Sequence, residues 1–151
     1  MDALDRELLA RLQDDGRVSI TDLAGQVGLS VSACHRRVRD LEQSGAIQRY
    51  RAVVSPRTVG LEFEAIVFVT IGRTDLDTIT AFEDAVAALP NVVEAERLFG
   101  ETDYMLRVLT ADLAAYQQLY DTALGGLPGV QRLTSTLVMK RVGPERTIPL
   151  G

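Results

Sequence analysis

Between Ser30 and Gln43 of this 151-residue chain, Ser32 and Arg36 stand four residues apart, with Arg37 and Arg39 beside them. On a helix that spacing puts Ser32 and Arg36 one turn apart on a single face. Such a face suits a DNA major groove. Arginine can fork onto guanine O6 and N7, and serine can reach a base or a phosphate. Arg37 and Arg39 flank that line and are better placed for phosphates, as are Arg49 and Arg51 a few residues on. Val31, Cys34, Val38 and Leu41 fall on the opposite side, so one helix can bury one face and present the other. Ser30 precedes the helix as a cap and adds its hydroxyl to the candidate set.

A second cluster lies at Gly100-Glu101-Thr102-Asp103-Tyr104. A glycine-led loop offers backbone groups to a carboxylate, and Glu101 or Asp103 could meet an ammonium group. The alternative is a hairpin loop in which Tyr104 is simply buried. Thr134 and Thr136, two residues apart on a strand pattern, point to one face of a sheet.

Other combinations carry less. Cys34 and His35 are adjacent, so on a helix they diverge by about 100° and the thiol faces the core. One cysteine and one histidine exclude an internal disulfide and give a metal site little support. Glu94 and Glu96 share a strand face and read as a solvated edge, or as partners for Arg97 or Arg107, rather than an acid/base pair. With no nucleophile–base pair and no phosphate loop, the chain is expected to have no catalytic residues.

Apolar residues are 46% of the chain, enough for a core. No apolar run approaches the roughly 20 residues of a membrane span, so a cytoplasmic, nucleoid-associated protein with no membrane partner is expected. The net charge is −5, but the bases are unevenly placed. Residues 1–60 hold nine arginines against eight acids, and the remainder seven bases against thirteen acids. Between residues 31 and 57 the balance is six arginines against two acids. Because screening acts over about 8 Å, this local excess decides where an anion would bind.

The elements that must position these residues follow from spacing. Leu4, Leu8, Leu9 and Leu12 predict a first helix ending near Asp15-Gly16. Ser19 caps a second from Ile20 to about Val27, Gly28 turns the chain, and Gly45 ends the third helix. Alternation from Ile47 to Arg51 predicts a short hairpin, a wing. Past Ser55–Gly60 the period changes from 3.6 to 2. Strands are expected at 62–72, 92–99, 104–109 and 130–142, with helices near 76–89 and 112–124 between them. That order is the split βαβ, ferredoxin-like arrangement. The first of these strands is apolar on both faces, which suggests that the face away from the helices packs on a partner chain. The predicted class is α+β: a winged helix-turn-helix domain over 1–54, a linker at 55–61, a βαββαβ domain over 62–143 and a loose tail at 144–151.

Order and spacing of several pieces together resemble one family. These are LDRELLARLQDDGRVSITDLAGQVGLS, CHRRVRDLEQSGAIQRY, GETDY at 100–104, LPGV at 127–130 and TSTLVMK at 134–140. The chain resembles the Lrp/AsnC (feast/famine) bacterial transcription regulators from Leu4 to about Val142. The resemblance implies an amino-terminal DNA-binding domain for double-stranded DNA. It also implies a carboxyl-terminal (RAM/ACT-like) domain for effector binding and oligomerisation. It implies dimers that assemble further, often to octamers, and an amino acid as effector, with no other cofactor. His35 and Arg36 stand at positions that vary in the family, as expected if they help choose the operator. Thr134 and Thr136 would add hydroxyls to an effector pocket shared with an adjacent dimer. Glu101 departs from the family loop, which often reads Gly-Asp-x-Asp-Tyr. A chromatin-like architectural protein of the same fold, with little sequence preference, is the alternative function.

Overall fold

The computed structural model describes residues 1–143 and 146–150. It divides into two compact units: Met1–Val53 with the described part of Gly143–Gly151, and Val54–Val142. No helix among the described residues is long and apolar enough to cross a membrane.

Three helices build the first unit: α1 (Ala3–Asp14), α2 (Ile20–Val27) and α3 (Val31–Gln43). Each starts where a side chain satisfies orphan backbone N–H groups. Asp2 and Asp5 form a reciprocal capping box on α1. Ser19 accepts from Asp22 N, and Ser30 from Ala33 N. Between α2 and α3 the chain reverses at Gly28, whose φ of 68° is left-handed and suits a residue without a Cβ. Leu8, Leu23 and Cys34 are fully buried, and Ala24, Val27, Val38 and Leu41 close the core around them.

The second unit is a four-stranded antiparallel sheet carrying two helices. Its elements are β1 (Phe63–Ile71), α4 (Leu76–Ala87), β2 (Val92–Arg97), β3 (Tyr104–Thr110), α5 (Leu113–Thr122) and β4 (Val130–Leu137). Strand order is β2-β3-β1-β4, so each βαβ half is split by a strand from the other. Ala65, Val67, Val69 and Ile71 of β1 and Leu106 and Val108 of β3 meet Phe82, Val86, Tyr116, Leu124 and Leu127 in one core. The alternate residues Glu64, Ile66, Phe68 and Thr70 form the opposite face and are half-buried.

Three expectations are corrected. Residues 48–55 form no strand, so the wing is a single exposed, irregular segment rather than a hairpin. Among the described residues of its unit no strand stands beside that run. Strand β4 stops at Leu137 instead of reaching Val142, because its partner β1 begins at Phe63 and the last register pair is Ala65–Leu137. Of the tail, Pro144, Glu145 and Gly151 lie outside the described residues. The described remainder is not loose: the Gln13 side chain bonds both N and O of Ile148 (2.8 and 3.1 Å), and Arg6 donates to Leu150 O at 3.0 Å.

Candidate nucleic-acid interface and small-molecule region

Helix α3 presents the stripe that its spacing requires. Ser32, His35, Arg36 and Arg39, at i, i+3, i+4 and i+7, are all exposed, while Cys34, Val38 and Leu41 on the other side are buried. Arg36 and Arg39 have no hydrogen-bond or ion-pair partner among the described residues, so both guanidinium groups are available to an external anion. Glu42, one turn from Arg39, is instead taken by the Tyr50 hydroxyl at 3.1 Å. Burial of the Cys34 thiol raises its pKa, as befits a core residue. Ser30 spends its hydroxyl on the helix cap and lies 3.3 Å from Ser32 Oγ.

Arg37 is placed differently from its neighbours. Its Nη1 lies 2.8 Å from Asp2 Oδ2 and 2.7 Å from Asp5 Oδ1, and its side chain is largely covered. The two carboxylates raise its pKa, and Asp2 is held below the ordinary range by the Asp5 backbone N–H and then by Arg37. Arg37 therefore ties α3 to the start of α1, and its charge is already compensated before any phosphate arrives. Sequence reasoning missed Asp2 and Asp5 in this role because they stand more than thirty residues away. Arg49 and Arg51 are exposed on the irregular segment after α3.

In the second unit, Gly100 and Glu101 are exposed and Thr102 is half-buried. Asp103 is committed to the fold. Its Oδ2 accepts Ile71 N at 2.7 Å, its N donates to Val69 O at 2.9 Å, and its O accepts Leu98 N at 2.7 Å. Through Oδ2 that carboxylate stitches the loop to the end of β1, while Oδ1 has no partner among the described residues. Tyr104 is core, its ring centroid 4.5 Å from that of Phe82 at a tilt of 44°, with its hydroxyl donating to Glu83 Oε1 at 2.7 Å. The motif at 127–130 reaches the same corner, where Gly72 N donates to Gly129 O at 2.9 Å.

Burial, and then the Glu83 carboxylate, push the Tyr104 phenol up to about 12. Ionisation is thus harder in the folded chain than in the unfolded one, whose phenol titrates at its ordinary value of 10.0. The resulting stabilisation is full below pH 10 and is lost as pH climbs through about 12, a term on the order of 2 kcal/mol. Urea unfolding at pH 9, 10.5 and 11.5 should show the native chain losing stability relative to Tyr104→Phe across that range. Parallel profiles would refute the assignment.

Thr134 and Thr136 pair with Phe68 and Ile66 of β1, on the face away from the helices. Met105 and Arg107 extend the same two rows across β3, and Glu96 and Glu94 across β2. Arg107 bonds Glu94 at 2.7 Å and also Glu64, which Arg141 meets at 3.1 Å. Burial alone would raise Glu64, but Arg141 and Arg107 outweigh it and hold the carboxyl below its ordinary value. Glu94 is thus the salt-bridge partner of Arg107 on the neighbouring strand.

Residues 1–42 match the model of the AsnC-type helix-turn-helix domain, and residues 64–148 that of the Lrp/AsnC ligand binding domain. The chain belongs to the Lrp/AsnC family. It is 37% identical to the leucine-responsive regulatory protein of Haemophilus influenzae over 142 residues, covering 94% of this chain and 86% of that one. The Escherichia coli K12 protein of the same name is also 37% identical, over 94% and 87%. Among solved structures, a transcriptional regulator from Neisseria meningitidis in complex with L-Met superposes with a TM-score of 0.94 at 34% identity, covering 99% of this chain and 97% of that one. An AsnC family transcriptional regulator from Agrobacterium tumefaciens gives 0.93 at 33%, with the same coverage. This Lrp/AsnC chain is therefore a transcriptional regulator with a helix-turn-helix and a ligand-binding domain.

Proposed function

We propose that this Lrp/AsnC regulator binds double-stranded DNA at specific sequences through α3 and responds to an amino acid held by its second unit. The observation that carries the DNA reading is the exposed stripe Ser32, His35, Arg36, Arg39, with both arginines unpartnered among the described residues. Arg36 is the base reader. Arg39, Arg49 and Arg51 serve phosphates, and Arg37 is left out because Asp2 and Asp5 hold it. Ser30 contributes through the helix cap.

Self-association is supported by the sheet face away from the helices, where Ile66, Phe68 and Met105 stay half-buried rather than buried among the described residues. A second copy on that face would remove this apolar row from water and leave Arg107 and Glu64 paired within it. The amino-acid effector is supported by the ligand-binding family model and by the relative solved with L-Met. Gly100, Glu101 and Thr102, with Thr134 and Thr136, are its candidate contacts between dimers. Asp103 and Tyr104 act as supports of that loop.

Selection from a random DNA pool, followed by anisotropy titrations, tests the reading. The native chain should prefer its selected site over random DNA. Arg36→Ala should lose about 1–3 kcal/mol of discrimination at one or two base pairs with its mass in solution unchanged. Arg49→Ala should weaken every sequence alike and reduce the salt slope by about one. Equal affinity for random DNA overturns specific recognition. An unchanged site preference in Arg36→Ala removes that residue as the reader.

A further inference from the structure

Between α4 and the edge strand β2 lies a cavity of about 290 Å³, close to the lower limit of roughly 300–1,000 Å³ for small-ligand pockets. It is lined by α4, β2 and Tyr104 of one chain and includes neither Thr134 nor Thr136. Phe82, Val86 and Tyr104 make a buried floor, and Val92 is half-buried at its side. Three charged residues line it: Glu94, which is already paired with Arg107, and two of opposite sign without an ion-pair partner among the described residues, Glu83 and Arg97. Glu83 has one oxygen on the Tyr104 hydroxyl and the other without a partner among the described residues. Arg97 is exposed and has neither a hydrogen bond nor an ion pair among them. Arg97, Glu83 and Tyr104 line the same cavity, and no ion pair joins Arg97 to Glu83.

An anion receptor and a cation receptor standing apart over an apolar floor match one ligand chemistry: a small zwitterion with a hydrocarbon side chain. We propose that this cavity binds a free apolar α-amino acid, with the carboxylate on Arg97, the ammonium on Glu83 and the side chain against Phe82, Val86 and Val92. The guanidinium fork can hold a carboxylate through two parallel bonds. The apolar floor disfavours amino acids with charged side chains. This inference rests on the amino-acid response proposed above but assigns a site complete in a single chain. It also gives Tyr104 a positioning role, since its hydroxyl fixes the Glu83 carboxylate at the rim.

Calorimetric titration of the full chain separates the two ideas. The probes are L-leucine, 4-methylpentanoate (no ammonium) and 3-methylbutylamine (no carboxylate), with L-methionine and L-phenylalanine alongside. L-Leucine should bind tightest of the first three. Arg97→Ala should weaken it by about 10- to 100-fold, the range of a charge-assisted hydrogen bond, down to the level of 3-methylbutylamine. Glu83→Gln, which still accepts the Tyr104 hydroxyl, should bring L-leucine down to 4-methylpentanoate. Arg97→Lys should fall between, keeping charge without the fork. If Arg97→Ala and Glu83→Gln bind L-leucine like the native chain while Thr134→Ala does not, the cavity inference fails and the amino-acid reading stands. If the native chain binds none of L-leucine, L-methionine and L-phenylalanine, both fail.

Discussion

Leu23→Ala should unfold the amino-terminal unit and abolish DNA binding while the four-stranded sheet of the second unit still melts as in the native chain. Leu23 is fully buried among Leu8, Cys34, Val38 and Leu41. Truncating a leucine in such a setting costs about 2–5 kcal/mol, in transfer free energy plus the cavity left behind. A unit of this size holds only roughly 3–8 kcal/mol at typical per-residue stability. Its core draws on three short helices, none long enough to persist alone. Loss of far-ultraviolet helical signal with retention of a second thermal transition is the expected record. A variant that keeps native DNA affinity and both transitions would show that the small core tolerates the void.

Gly129→Ala should cost the second unit about 2–5 kcal/mol, from two separable causes. Gly129 has φ of 70°, a left-handed conformation worth roughly 1–2 kcal/mol to any residue with a Cβ. A Cβ placed there would also stand 2.2 Å from Thr78 Cγ2 and 3.5 Å from Ile71 Cγ2. Thr78 cannot easily turn aside, because it is β-branched and its Oγ1 bonds Asp75 Oδ1 at 2.9 Å. Such overpacking typically adds about 1–3 kcal/mol. Chemical denaturation of Gly129→Ala against Gly129→Ala/Thr78→Ser separates the terms. Serine keeps the hydroxyl and lacks Cγ2, so the double variant should regain the steric share and retain the backbone one. No recovery would mean that the collision is relieved some other way.

The sequence made the local devices legible and left the distant ones hidden. Ser19, Gly28 and Ser30 mark the helix-turn-helix because caps and a left-handed turn act within four residues. The change of period at residue 60 reveals the sheet for the same reason, and the alternation through Thr134 and Thr136 places both on one face. Arg37 looked like its neighbours because nothing nearby says that Asp2 and Asp5 return to it. Asp103 looked like a free carboxylate because the amide it takes belongs to Ile71, 32 residues earlier. The wing and the end of β4 were overextended because alternation reports a willingness to extend and says nothing of whether a partner strand is there. The cavity of Glu83 and Arg97 gave no signal at all, since a helix supplies the one and a separate strand the other.

Asp103 makes one more thing follow. Through its own N, O and carboxylate it rivets the chain leaving β2, the turn and the central strand at a single joint, and Gly72 carries that joint on to Gly129. A load applied at Gly100–Thr102 therefore has no slack to dissipate in and must be borne by β1, the strand that spans the middle of the sheet. Were a metabolite to press on that turn, the domain would answer as a lever rather than as a cushion.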